Sequence, residues 1–133
     1  MISVGNAHPV SETIGIAIVD DDHDMREALG GLVLSLGYTP LTFASAEAFL
    51  AFPRRSRFRC IIVDVCMAGL SGIELQSILN QEDDSPAIIF VTSHGDEGIR
   101  EKALKGGARC FLGKPVDVQI LIDCLETALE VPL

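Results

Sequence analysis

The chain has 133 residues, with 10 lysines and arginines against 19 aspartates and glutamates, for a net charge of −9. That is one ordinary domain, long enough to bury a core without disulfides or a structural metal. Its acidity argues against binding DNA or an anionic membrane by bulk electrostatics, because both select a basic footprint.

Tryptophan is absent and Tyr38 is the only tyrosine, so aliphatic side chains are expected to fill the core. Residues 1–13 read as a short flexible arm and 131–133 as a tail, leaving 14–130 for the domain. The run Ile14-Gly15-Ile16-Ala17-Ile18-Val19 suits a strand buried on both faces and ends in Asp20-Asp21-Asp22. From Asp24 to Leu36, apolar residues recur at helical spacing, with Asp22 or Asp24 as cap and Gly37 as stop.

Tyr38 to Phe43 is a second strand, placed at an edge by Pro40. Ser45 caps a short helix through Leu50, and the basic run Arg54, Arg55, Arg57 and Arg59 reads as a solvated loop. Cys60 to Val63 is a strand ending at Asp64, and Ser71 to Leu79 is a helix. Pro86 to Val91 is a strand ending at Thr92, followed by a weaker helix over Gly95 to Leu104. Ala108 to Leu112 is a fifth strand, followed by Gly113-Lys114-Pro115. The last helix, Asp117 to Glu130, sets Val118, Leu121, Ile122, Leu125 and Leu129 on its apolar face. No stretch is apolar and long enough to span a membrane, and no signal peptide is visible, so the expected address is the cytoplasm. There Cys60, Cys110 and Cys124 would be small core residues with reduced thiols.

Five alternations of strand and helix specify an α/β fold, a parallel sheet with helices on both faces. In the doubly wound order 2-1-3-4-5, ligands bind beyond the carboxyl ends of the strands, where strand order reverses. Asp20, Asp21, Asp64, Thr92 and Lys114 all fall at such ends. Three carboxylates in one crevice repel each other and need counter-charge, from Lys114 and from a hard divalent cation that takes oxygen ligands. Magnesium suits this donor set best. An aspartate beside magnesium, a hydroxyl and an ammonium is equipped to attack phosphorus and form an acyl phosphate.

The segments Val19-Asp20-Asp21-Asp22, Val63-Asp64-Val65-Cys66-Met67, Val91-Thr92-Ser93 and Lys114-Pro115 resemble the receiver domain of bacterial two-component response regulators. The likeness runs from about Ile14 to Glu130, and Ser45-Ala46-Glu47-Ala48-Phe49-Leu50 is similar to the nitrogen-fixation branch. The resemblance implies that Asp64 is the phosphoacceptor. It implies Asp20, Asp21, Asp64 and the Cys66 backbone carbonyl as magnesium ligands. Thr92 and Lys114 would hold phosphoryl oxygens, and Phe111 would be the switch aromatic, moving when Thr92 moves. The donor would be a phosphohistidine on a sensor histidine kinase or phosphotransfer protein. The phosphorylated domain would form a homodimer or bind an output partner, and the output would be control of transcription. No direct nucleic-acid binding and no catalysis beyond the domain's own phosphorylation and dephosphorylation are expected.

Two positions depart from the family pattern. Met67 is followed by Ala68 where proline is usual, which loosens the loop, and Thr92 is followed by Ser93 in place of alanine or glycine. Asp22 reads as a helix cap, and His23 and His94 as loop residues. A dehalogenase-type phosphatase is disfavoured because no late carboxylate pair follows Lys114. A calcium loop is excluded because Met25 and Gly31 stand where glycine and glutamate are required. A flavin role fails because three carboxylates would repel the cofactor phosphate.

Overall fold

The computed structural model describes residues 14–130, so the expected arm and tail lie outside the described residues. Five strands, β1 (Gly15–Val19), β2 (Thr39–Phe43), β3 (Phe58–Val63), β4 (Ala87–Thr92) and β5 (Cys110–Gly113), alternate with five helices. The helices are α1 (His23–Ser35), α2 (Ala46–Leu50), α3 (Gly72–Leu79), α4 (Glu97–Lys105) and α5 (Val118–Ala128). The strands form one parallel sheet in the order β2-β1-β3-β4-β5, as expected.

The period of two explains why the inner strands read as continuous apolar runs. Ala17, Val19, Ile61, Val63, Ile88 and Phe90 point into the core on one face of the sheet, with α2 and α3. Ile16, Ile18, Cys60, Ile62, Ile89 and Val91 point into the other, with α1 and α5. Both faces are covered, so no alternate residue needs to be polar. Each fully buried isoleucine contributes about 1.5–3 kcal/mol.

The core is less purely aliphatic than composition suggested. Phe43, Phe49, Phe52 and Phe58 form a cluster of edge-on and tilted rings beneath β1 and α2. Phe58 belongs to this cluster because β3 begins two residues before the strand read from sequence, just after a 3-10 turn over Arg55–Arg57. Arg54 and Arg57 are exposed as expected of the basic loop, but Arg59 lies within β3 and donates to the Leu129 carbonyl at 3.3 Å, and Arg55 pairs with Glu82 at 3.0 Å. On α5 the buried stripe begins at Leu121, and Val118 is exposed.

The cysteines divide differently from the expectation of reduced core thiols. Cys60 is such a residue, and burial pushes its thiol up to about 12. Cys110 of β5 and Cys124 of α5 are joined as a disulfide. They stand 14 positions apart in sequence, but α5 returns alongside β5 and brings their Cα atoms to 6.4 Å, within disulfide reach.

Local signals set the helix starts. Asp22 is the N-cap of α1 and accepts from the Asp24 and Met25 amides. Ser71 and Glu74 form a reciprocal capping box at α3. We predict that Ser71→Ala lowers stability by about 1 kcal/mol, read as a reduced urea midpoint at unchanged slope.

Candidate functional site

The ladders continue one residue past several strand ends, and those residues carry the site. The Asp20 amide donates to the Phe43 carbonyl, the Asp64 amide to the Val19 carbonyl and the Lys114 amide to the Thr92 carbonyl. Val19 pairs with Val63, so Asp20 and Asp64 emerge side by side from adjacent central strands. Neither backbone can shift without breaking a sheet bond.

Asp20 is 2% exposed and Asp64 6%, whereas Asp21 is exposed. One carboxylate oxygen of each lies within 4.8 Å of the others. At such separations, with an effective dielectric of about 20, each pair of carboxylates repels by about 3 kcal/mol. Lys114 partly offsets this, its ammonium donating to Asp20 Oδ2 and Asp64 Oδ2 at 2.9 Å each. Burial alone would pull the lysine down, but its hydrogen bonds to the two aspartates and their attraction outweigh it, and the net shift is upward. While both aspartates are ionised, these pairs contribute fully below the ordinary lysine value of 10.5 and are lost as pH rises through the higher folded value.

The remaining oxygens have backbone partners. Asp20 Oδ1 accepts from the Asp22 amide at 2.9 Å and Asp64 Oδ1 from the Cys66 amide at 3.1 Å. Three carboxylates against one ammonium leave a net charge deficit at a cluster of hard oxygen donors. That donor set fits a divalent cation such as magnesium.

The structure thus brings Asp20, Asp21, Asp64 and Lys114 together and sets Cys66 beside them. Thr92 ends β4 and is buried, with its Oγ1 accepting from the His94 amide at 3.1 Å. No hydrogen bond among the described residues joins Thr92 to the carboxylates. Phe111 is half-buried, its ring 6.1 Å from that of Phe90, and a Cβ at Gly95 would collide with it. His23 and His94 both lie outside the acidic cluster.

Two contacts escaped the reading by spacing. Arg26 of α1 donates to the Asp20 carbonyl at 2.8 Å, one helical turn beyond the cap. Glu47 of α2 accepts from the Leu70 amide at 2.9 Å, across 23 residues. That bond holds the Glu47 carboxyl below the usual carboxylate range. A helix-start acid gives no sign in sequence of such a distant partner.

A family model described as the response regulator receiver domain matches residues 16–126. Response regulator protein TmoT of Ectopseudomonas mendocina is 38% identical over 96% of this chain and 58% of its own length. Transcriptional regulatory protein FixJ of Bradyrhizobium diazoefficiens is 39% identical over 86% of this chain and 56% of its own. Among solved structures, response regulator StyR matches with a TM-score of 0.80 at 41% identity, over 88% of this chain and 59% of that one. Chemotaxis protein CheY4 of Vibrio cholerae matches with a TM-score of 0.80 at 24% identity, over 88% and 99%, which speaks for the fold alone. The chain spans little more than half the length of the curated relatives it matches.

Among the described residues Asp21 has no hydrogen-bond partner, so Asp21→Asn should remove repulsion and little else. We predict that it raises stability by about 1 kcal/mol in chelator and shrinks the stabilisation gained on adding magnesium. Urea unfolding of both proteins with EDTA and with magnesium chloride checks both signs.

Proposed function

The chain belongs to the response-regulator receiver family, and we propose that Asp64 is its phosphoacceptor, in a magnesium-dependent transfer from a phosphohistidine. The observation that carries this reading is the placement of a buried carboxylate, Asp64, between an ammonium at 2.9 Å and two further carboxylates. Asp20, Asp21, Asp64 and the Cys66 carbonyl would hold the ion. When bound, magnesium would neutralise the acidic cluster and the charge on the phosphoryl oxygens.

The protein's own groups perform the rest. A carboxylate oxygen of Asp64 attacks phosphorus as the phosphorus–nitrogen bond of the donor breaks. The electron pair leaves with the imidazole nitrogen, which takes up a proton. Lys114, already fixed by its backbone bond to Thr92, supplies positive charge to an equatorial oxygen. Thr92 uses its hydroxyl oxygen as an acceptor from His94, which leaves its own proton to donate to another phosphoryl oxygen. The chain catalyses only its own phosphorylation and dephosphorylation.

The partners on this reading are a sensor histidine kinase or phosphotransfer protein, and a second copy of the chain or an output partner once phosphorylated. Val118 and Ile120 of α5 are 53% and 49% exposed, which supplies apolar surface for such a contact. Control of transcription is the proposed output, supported by relatives named as transcriptional regulators. Phe111 is the proposed switch, supported by its half-buried position against the loop after Thr92.

Incubation with acetyl phosphate and magnesium should add the mass of one phosphoryl group to the intact protein. The adduct should be absent in EDTA and in Asp64→Asn. A folded wild-type protein that gains no mass from acetyl phosphate or a phosphohistidine donor would sink the reading. Gly95→Ala should displace the Phe111 ring and shift its aromatic proton resonances before any phosphorylation; unchanged resonances would remove Phe111 from the switch.

A further inference from the structure

We infer that Glu47 is a positioning residue for the metal-binding loop, fixing from α2 the segment that presents the Cys66 carbonyl. The inference rests on the proposed metal role of that carbonyl and adds a residue to it. The loop in question runs from Asp64 at the end of β3 to Ser71 at the start of α3. Its first turn is held by the Cys66 amide on Asp64 Oδ1. Its last turn is held by the Ser71 capping box and by the Gly72 amide on the Val65 carbonyl, at 2.8 Å.

Between these ends lie Met67, Ala68, Gly69 and Leu70. Ala68 allows backbone conformations that a proline would forbid. Gly69 has a φ of 80°, in the left-handed region. Neither residue fixes the backbone of this stretch, which lies beside a site that on the proposed reading needs a fixed oxygen. Met67 and Leu70 lean on the core, but apolar packing does not define the orientation of a peptide plane.

Glu47 supplies that definition. Its Oε2 accepts from the Leu70 amide, and its carboxylate occupies the space a Cβ at position 69 would need. Among the described residues, no other side chain from outside the loop hydrogen-bonds to positions 67–70. The anchor itself is firm. Glu47 sits in the first turn of α2, which Ser45 caps, while Ala46 and Phe49 bury the helix in the core. The bond thus carries the rigidity of the phenylalanine cluster to the loop.

The alternative is that Glu47 only favours the start of its helix by its charge. The two accounts differ over the uncharged isostere. Glutamine keeps an acceptor oxygen for the Leu70 amide and loses the charge.

The experiment measures binding of Mn2+, an octahedral oxygen-seeking stand-in for magnesium, by the loss of free-ion paramagnetic resonance lines. Glu47→Ala should weaken binding about 10-fold, the low end for loss of an outer-shell partner, while Glu47→Gln stays within about twofold of wild type. Exchange of the Leu70 amide should accelerate in Glu47→Ala and not in Glu47→Gln. Glu47 is exposed, so the variants should keep wild-type far-ultraviolet dichroism. A Glu47→Ala protein that binds like wild type overturns the inference alone, and so does a Glu47→Gln protein as weak as Glu47→Ala. A wild-type protein that binds no Mn2+ overturns the metal reading beneath it, and the inference with it.

Discussion

The Lys114 ammonium, shared between two buried carboxylates, is the interaction on which the rest of the structure depends. Asp20 and Asp64 close neighbouring strands, and both are buried. Without a cation between them, two such charges would be costly to bury, since each loses its hydration. The lysine must come from a third strand, β5, which lies two places away from β3. It does so from the position just past the end of β5, its ammonium reaching both carboxylates at 2.9 Å. The backbone bond from Lys114 to the Thr92 carbonyl holds that reach in register.

A rigid sheet alone does not make a metal site, because some donors must come from loops. Here the loops are tied back to the core by side chains that stand on helices. Arg26 holds the Asp20 carbonyl from α1, and Glu47 holds the Leu70 amide from α2. Asp20 and Asp64 accept from amides two residues ahead and so fold their own loops around themselves. The carboxylates of the acidic cluster are thus also the caps of the turns that contain them. A change in their charge would be felt at once in backbone geometry.

The fold was largely legible because its central strands are covered on both sides, and two-sided burial writes itself as unbroken runs such as Ile16 to Val19 and Cys60 to Val63. The acidic cluster and Lys114 were legible because they close those runs. What escaped were features that depend on two segments meeting. Phe58 joins a ring cluster that only tertiary packing assembles, and Cys110 meets Cys124 only because α5 returns beside β5. Glu47 stands in the first turn of α2, and no local pattern announces a partner 23 residues away. Val118 kept the helical period of its neighbours yet lies before the buried stripe begins.

The elements around the site are unequally held, and this bears on how a charge change there could spread. α1, α3 and α5 each bury at least two residues, while α4 buries Ala103 alone. Elements with few buried contacts open at lower free energy than the core. The far end of α4 is secured by polar contacts, with Gln76 donating to the Ala103 carbonyl and Asn80 to the Gly106 carbonyl. Its near end faces Thr92 and Phe111, and there Arg100 donates to the Phe111 carbonyl. Lys114 lies three residues further along the same chain segment. A group that competes for Lys114 at Asp64 therefore acts on a strand bonded through Arg100 to α4, a helix that buries a single residue. Sparse burial makes α4 an element through which the proposed switch can move at low cost.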